Sequence, residues 1–258
     1  MRICTLQHDI AWMDTAANLA RLDAMIGSQP SADLYVLAEM FATGFATEPC
    51  GDGRLEASGE RTLAWMRATA QRRGAALAGS IAMRGEDGRW RNRFCLVGQD
   101  GSVSTYDKRH LFGYGGEDLC YAPGCRRVVA ECQGVRMLLQ VCYDLRFPVW
   151  SRCRGDYDAI VYLANWPESR MAAWQTLLRA RAIENQCYVV GVNRVGDDPR
   201  CHYGGATAIV GPRGETLAEC NSEGRTEAAM ASIDLLALQR FRQRFDVLRD
   251  ADTFTVNV

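Results

Sequence analysis

The sequence predicts an α/β fold in which two similar sheets pack face to face with helices outside, in one domain over residues 1–258. Two observations lead to it. Short apolar runs of strand character alternate with segments whose apolar residues recur at helical spacing. The order strand, helix, strand, helix, then a run of strands closed by tight turns also occurs twice along the chain. Residue identities do not repeat between the halves, so the echo is architectural, and no linker-like stretch marks a domain boundary.

A strand is expected near 2–8. Asp14 then caps a helix whose apolar positions Ala17, Leu19, Leu22, Met25 and Ile26 share one face, with Gly27 as its stop. The apolar run Leu34-Tyr35-Val36-Leu37-Ala38 is a buried strand that ends on Glu39. A helix near 60–73 carries Leu63, Trp65, Met66 and Ala70 and stops at Gly74. A strand at 75–83 turns at Asp87-Gly88 into one at 91–98, and Asp100-Gly101 turns that into a third ending near Lys108. The second half opens with a strand at 135–141 that ends on Cys142, with Pro148 placed where a first helical turn accepts it. A strand at 158–164, a long helix from Ser169 to about Asn185, a strand at 187–194 and a hairpin through Gly211-Pro212-Arg213-Gly214 follow. Gly-rich stretches near 113–116 and 204–205 have the character of loops over a site.

Composition narrows the function. The chain is 48% hydrophobic and 24% charged with a formal net charge of −1, and no block of like charge suits nucleic acid or an anionic membrane surface. No apolar run approaches bilayer-spanning length, and Met1-Arg2 lead straight into Ile3-Cys4-Thr5-Leu6 without the pattern of a signal peptide. Eleven cysteines cannot all pair, and no C-x-x-C occurs. A reduced, cytoplasmic protein whose cysteines are mostly small buried hydrophobes is the expectation. His8, His110 and His202 lie far apart in sequence, so no metal site is expected. G-x-S-x-G, P-loop, G-x-G-x-x-G and H-E-x-x-H motifs are absent.

Three local features carry chemistry. In Leu138-Leu139-Gln140-Val141-Cys142-Tyr143-Asp144-Leu145-Arg146-Phe147-Pro148 a buried strand delivers a thiol to backbone amides and a positive helix end. Such a setting lowers a thiol pKa from about 8.5 by one to several units. Glu39 is a carboxylate at the carboxyl end of an apolar strand, where sheets of this kind bind ligands. Lys108, in Tyr106-Asp107-Lys108-Arg109-His110-Leu111-Phe112, can serve as a fixed cation beside a thiolate and a developing oxyanion. Taken singly, each feature also has a plain structural explanation: a buried cysteine, a solvated strand-end acid, a solvated basic turn.

Taken together, Glu39, Lys108 and Cys142 in these surroundings resemble the Glu-Lys-Cys triad of the nitrilase superfamily of carbon–nitrogen hydrolases. The likeness runs through essentially the whole chain, including Asn165-Trp166-Pro167 and Arg179-Ala180-Arg181-Ala182-Ile183-Glu184-Asn185. Within the superfamily, Val-Cys-Tyr-Asp-Leu-Arg-Phe-Pro-Val-Trp-Ser-Arg with Asn-Trp-Pro is most similar to the bacterial omega-amidase branch. Those enzymes hydrolyse the terminal amide of 2-oxo-dicarboxylate monoamides such as 2-oxoglutaramate. The resemblance implies a four-layer αββα sandwich, a homodimer and no metal or organic cofactor. It also implies a second acid, matched by Glu117, which orients the substrate amide beside the cysteine and lysine. The mechanism that follows has Glu39 as general base, Cys142 as nucleophile, and Lys108 with the Tyr143 backbone N–H as oxyanion donors. Arg146, Arg170 and Trp166 are candidates for the wall that meets the distal carboxylate, and salt-bridged structural roles are open for both arginines. The same triad also serves nitriles, N-carbamoyl compounds and N-acyl amines. The sequence is compatible as well with a catalytically silent binding protein of the same fold, and with a thiol redox sensor in which Cys153 resolves Cys142.

Overall fold

The computed structural model describes residues 1–47, 53–221 and 223–256. The first sheet holds β1 (Arg2–Gln7), β2 (Leu34–Val36), β3 (Ala76–Arg84), β4 (Trp90–Val97) and β5 (Val103–Asp107). The second holds β6 (Val129–Cys132), β7 (Val135–Val141), β8 (Ala159–Ala164) and β9 (Tyr188–Asn193). A small ribbon, β10 (Val195–Asp197) with β11 (His202–Gly204), stands apart from both. Strands β12 (Ala208–Val210) and β13 (Thr216–Glu219) return to the second sheet, and β14 (Glu227–Ser232) crosses to the first.

Strand order makes the echo explicit. The first sheet runs β14-β1-β2-β3-β4-β5 and the second β6-β7-β8-β9-β12-β13. In each, three consecutive parallel strands form the centre and antiparallel strands flank them. The central strand β8, Ala-Ile-Val-Tyr-Leu-Ala, is buried along its whole length, as expected of a parallel strand covered on both faces.

Helices α1 (Thr15–Ser28) and α2 (Gly53–Arg73) cover the outer face of the first sheet. Short α3 (Glu117–Cys120) and α4 (Pro148–Ser151) follow strand ends, and α5 (Met171–Asn185) and α6 (Leu235–Arg244) cover the second sheet. The period-2 alternation of the strands divides the core accordingly. Ile3, Leu34, Val36, Ala78 and Phe94 face inward with Met137, Leu139 and Val141 of the second sheet. Cys4, Leu6, Tyr35 and Leu77 point outward onto Leu19, Leu22, Ile26 and Met66 of α1 and α2. Each fully buried aliphatic side chain contributes about 1.5–3 kcal/mol to this packing. The result is the expected four-layer αββα sandwich.

Several boundaries differ from expectation. Helix α1 is capped by Asp14, whose carboxylate accepts the Ala17 N–H at 3.0 Å, but it runs through Gly27 to Ser28. Helix α2 begins at Gly53 and not near 60. Gly59 lets the helix sit against β3, where a Cβ would meet the Ala82 carbonyl oxygen at 2.8 Å. Strands β6, β10, β11 and β14 and helix α6 were not anticipated. The hairpin at 211–214 joins β12 to β13 as expected.

Candidate active site

Chain segments from both sheets deliver the chemistry to one place. Beyond β2, Ala38 and Glu39 are fully buried, and the following Met40 takes a left-handed φ of 43° while its N–H is held by Ser80 Oγ at 2.9 Å. Glu39 is therefore turned into the interior and is not a solvated acid at the sheet rim. Lys108 follows β5 directly and is 1% exposed. Glu117 opens α3 and is fully buried. Cys142 follows β7, opens a 3₁₀ turn over Cys142–Arg146, and has φ 46°. A non-glycine residue in that conformation stores about 1–3 kcal/mol of strain, which surrounding contacts must hold in place.

These side chains form one continuous cluster. Lys108 Nζ donates to Glu39 Oε1 at 2.9 Å and to Glu117 Oε2 at 2.8 Å. Asn92 Nδ2 bridges the same acids, donating to Glu39 Oε1 at 2.7 Å and Glu117 Oε1 at 2.9 Å. Glu117 Oε2 also accepts the Phe112 N–H at 2.6 Å. From the second sheet, the Asn165 N–H donates to Glu39 Oε2 at 2.8 Å and its Nδ2 to the Glu39 carbonyl at 2.9 Å. The Cys142 thiol donates to the Asn165 carbonyl oxygen at 3.9 Å and lies within electrostatic reach of Glu39, Lys108 and Glu117.

Charge in this buried cluster is unequal: two carboxylates surround one ammonium. Burial opposes the Lys108 cation, but the Glu117 and Glu39 carboxylates outweigh it and hold the ammonium protonated above the ordinary lysine range. Burial pushes the Glu117 carboxyl up, against the pull of Lys108. The Cys142 thiol is also pushed well above its usual value, by burial first and then by the Glu39 charge. The expectation of a lowered thiol pKa is thus wrong for the free protein. The turn after Cys142 is a single 3₁₀ segment and α4 has four residues, so the positive end they offer is too small to offset two nearby carboxylates.

A cavity of about 350 Å³ opens above the thiol. Its lining includes Cys142, Tyr143 and Glu39 together with Phe112, Trp166, Arg146 and Arg170. The Arg146 guanidinium stacks over Trp166 at 4.9 Å. Arg170 lies over Phe112 at 5.4 Å and Tyr114 at 5.2 Å. Among the described residues neither guanidinium is paired with a carboxylate, so the salt-bridged role left open for them is not what the structure has. Trp166 is fixed by its own Nε1–H to the Arg170 carbonyl at 2.8 Å and by Asn193, which accepts the Trp166 N–H at 2.7 Å. Tyr143 occupies the first turn after Cys142, where backbone N–H groups have no acceptor within the helix.

The remaining candidates separate. His110 stacks on Phe147 at 3.8 Å and binds Asp144 at 2.8 Å, away from the thiol's partners. His8 is buried, and burial lowers its pKa to about 4. Cys153 packs beside Tyr157, with its thiol 3.9 Å from that carbonyl. Among the described residues no group of histidines, cysteines and acids could hold a metal ion, and no helix is long and apolar enough to cross a membrane. Sequence reasoning missed Asn92 and gave Asn165 no role. The signal for Asn92 was present: alternation puts it on the inward face of β4 with Trp90 and Phe94, where a lone amide must find polar partners.

Comparison with known proteins gives the family. Omega-amidase YafV of Escherichia coli K12 is 45% identical over 98% of this chain and 98% of its own length. The 2-oxoglutaramate amidase of Bacillus subtilis is 32% identical over 96% of each. A CN-hydrolase superfamily protein from Xanthomonas campestris, solved with an arsenic adduct in its active site, superposes with a TM-score of 0.93 at 39% identity. That match covers 100% of this chain and 99% of the other. The carbon-nitrogen hydrolase family profile matches residues 2–243. A buried carboxylate–ammonium–thiol cluster at the junction of two like sheets is what a hydrolase of carbon–nitrogen bonds needs, and this chain belongs to the carbon–nitrogen hydrolase family.

Proposed function

We propose that this protein is an omega-amidase that releases ammonia from a 2-oxo-dicarboxylate monoamide such as 2-oxoglutaramate, through a thioester on Cys142. The observation that carries the reading is the single buried cluster in which Glu39 is paired with the Lys108 ammonium and its charge acts on the neighbouring Cys142 thiol, beneath a cavity whose lining includes the Arg146 and Arg170 guanidinium groups.

In the first half-reaction Cys142 passes its proton to Glu39 as sulfur attacks the amide carbon. The raised thiol pKa suits this role, because a neutral thiol beside a carboxylate base avoids a second buried anion before substrate arrives. The tetrahedral oxyanion is held by the Lys108 ammonium and the Tyr143 backbone N–H, donors that typically contribute ~3 kcal/mol each. Collapse breaks the C–N bond, and Glu39 returns the proton to the departing ammonia. Water then gives a proton to Glu39 and attacks the thioester carbonyl; the C–S bond breaks and Glu39 reprotonates the thiol. Glu117 orients the amide and, with Asn92, keeps Lys108 directed at the reacting carbon. Arg146 and Arg170, presented on Trp166, Phe112 and Tyr114, take the distal carboxylate. Protein groups, substrate and water complete the cycle.

Ammonia release from 2-oxoglutaramate, set beside a nitrile, an N-carbamoyl amino acid and glutamine, tests the substrate. A preference for any of the other three overturns it. Cys142→Ala tests the nucleophile: turnover is abolished in a folded protein, and mass spectrometry of the wild type with a slow amide places the acyl adduct on the Cys142 peptide. The reading extends to residues 1–258 acting as one catalytic domain, in the cytoplasm and as a homodimer. The described cysteines are all unpaired, which fits a reducing compartment, and light scattering should give twice the 28.7 kDa chain mass.

A further inference from the structure

The side chain of Asp144 lies two residues beyond the thiol and is absent from the cluster just described, yet it is wholly buried and saturated with hydrogen bonds. Its Oδ2 accepts the Val141 N–H at 3.0 Å and the Tyr106 hydroxyl at 2.8 Å. Its Oδ1 accepts the His110 N–H at 3.0 Å and contacts His110 Nδ1 at 2.8 Å. Val141 is the residue before the nucleophile. Tyr106 and His110 are the residues two before and two after Lys108.

We infer that Asp144 is the positioning residue that fastens the elbow carrying the Cys142 thiol to the arm carrying the Lys108 ammonium. The two arms come from different sheets: β7 ends at Val141 and β5 at Asp107. Across that seam one carboxylate replaces the ladder bonds that would fix neighbouring strands. The elbow needs such a hold, because Cys142 sits at φ 46° and a strained residue keeps its conformation only when its surroundings over-determine it. The knot is itself braced. Tyr106 Oη accepts the Arg109 N–H and the Trp150 Nε1–H, each at 3.1 Å. The His110 ring lies flat on Phe147 with 7° between the planes. Charge-assisted bonds to a buried carboxylate are short and directional, so the thiol–ammonium spacing is set by atoms that touch neither group.

The inference rests on Cys142 and Lys108 being the nucleophile and oxyanion cation, and the experiment separates the two. Asp144→Asn keeps the shape but turns a donor toward N–H groups that need acceptors. In folded protein, with active sites counted by titration, its kcat falls about 100-fold, the loss expected of roughly 1 Å of misplacement, while KM stays within threefold. Alkylation of Cys142 by iodoacetamide slows in parallel. The pair His110→Ala and His110→Asn gives a second reading whether or not Asp144→Asn folds. The alanine variant loses about tenfold in kcat, and the asparagine variant, whose amide can replace Nδ1–H, recovers to within threefold of wild type. Wild-type kcat in folded Asp144→Asn, a loss confined to KM, or equal kcat for the two His110 variants would overturn the positioning role while leaving the Cys142 assignment intact. Activity retained by Cys142→Ala would instead remove the functional reading on which it rests.

Discussion

Lys108→Met separates stability from catalysis at the one cation of the buried cluster. Methionine fills the volume of the lysine stem but removes an ammonium that lies 2.9 Å from Glu39 Oε1 and 2.8 Å from Glu117 Oε2, with all three side chains fully buried. Breaking a buried ion pair by removing one partner destabilises by about 3–5 kcal/mol, because the remaining charge stays desolvated. Here two carboxylates remain, joined through Asn92, so the upper half of that range is expected. For a chain of this size the loss corresponds to a drop in Tm of roughly 8–20 °C. If Lys108 is the oxyanion cation, as proposed, its loss separately lowers kcat by about 10²–10³-fold. The pH dependence has a definite sign. Without Lys108 the pair must hold a proton in the folded state, so a carboxyl pKa already raised at Glu117 by burial rises further. A group whose folded pKa lies above its unfolded value contributes stability below the unfolded pKa and loses it as pH rises through the folded one. The deficit of the variant relative to wild type is therefore smaller at pH 5 than at pH 8. Urea unfolding followed by circular dichroism at both pH values measures it. A deficit under about 1 kcal/mol at pH 8, or one that grows toward pH 5, would refute the charge argument.

Three further outcomes follow from the same geometry. With the thiol pKa pushed up by burial and Glu39, the rate of Cys142 alkylation in the free enzyme should still be climbing at pH 9; a plateau below pH 7 would show a thiolate the structure does not support. Cys142→Gly should be more stable than Cys142→Ala by about 1 kcal/mol, since glycine accepts the positive φ that alanine resists; equal melting temperatures would mean the elbow is unstrained. Arg170→Ala should raise KM for 2-oxoglutaramate about 10–100-fold with kcat changed less than fivefold, the mark of lost uniform binding, whereas unchanged KM would move the carboxylate subsite elsewhere.

How much of the fold is legible in the sequence varies with the range of the interactions involved. The apolar runs at 34–38, 135–141 and 158–164 announce themselves because parallel central strands are buried on both faces. The Asp14 cap is legible because an N-cap acts within four residues. The short ribbon β10–β11 and edge strand β14 are not, because their pairing depends on partners far along the chain: Glu227–Ser232 finds its place only against Arg2–Gln7. Helix α2 is longer than its sequence suggests because Gly53 and Gly59 read locally as a loop; its packing against β3 cannot be seen from the residues alone.

The site divides in the same way. Residue types and their order along the chain single out Glu39, Lys108 and Cys142 as candidates only when taken together, through their resemblance to a known triad, since each alone also reads as an ordinary buried cysteine, strand-end acid or basic turn. Only the tertiary structure decided what lies opposite each of them. It brought Glu117 onto the Lys108 ammonium with Asn92 bridging the two acids, placed Asn165 of the second sheet on the Glu39 of the first, and paired Asp144 with the arm that bears Lys108. It also reversed the thiol's expected pKa shift. Local sequence shows a strand end and a nearby turn, which favour a thiolate; burial and two carboxylates contributed from over a hundred and from twenty-five residues away favour the thiol. Electrostatic free energy depends on distance and desolvation in three dimensions, and neither is written in the spacing of residues along the chain.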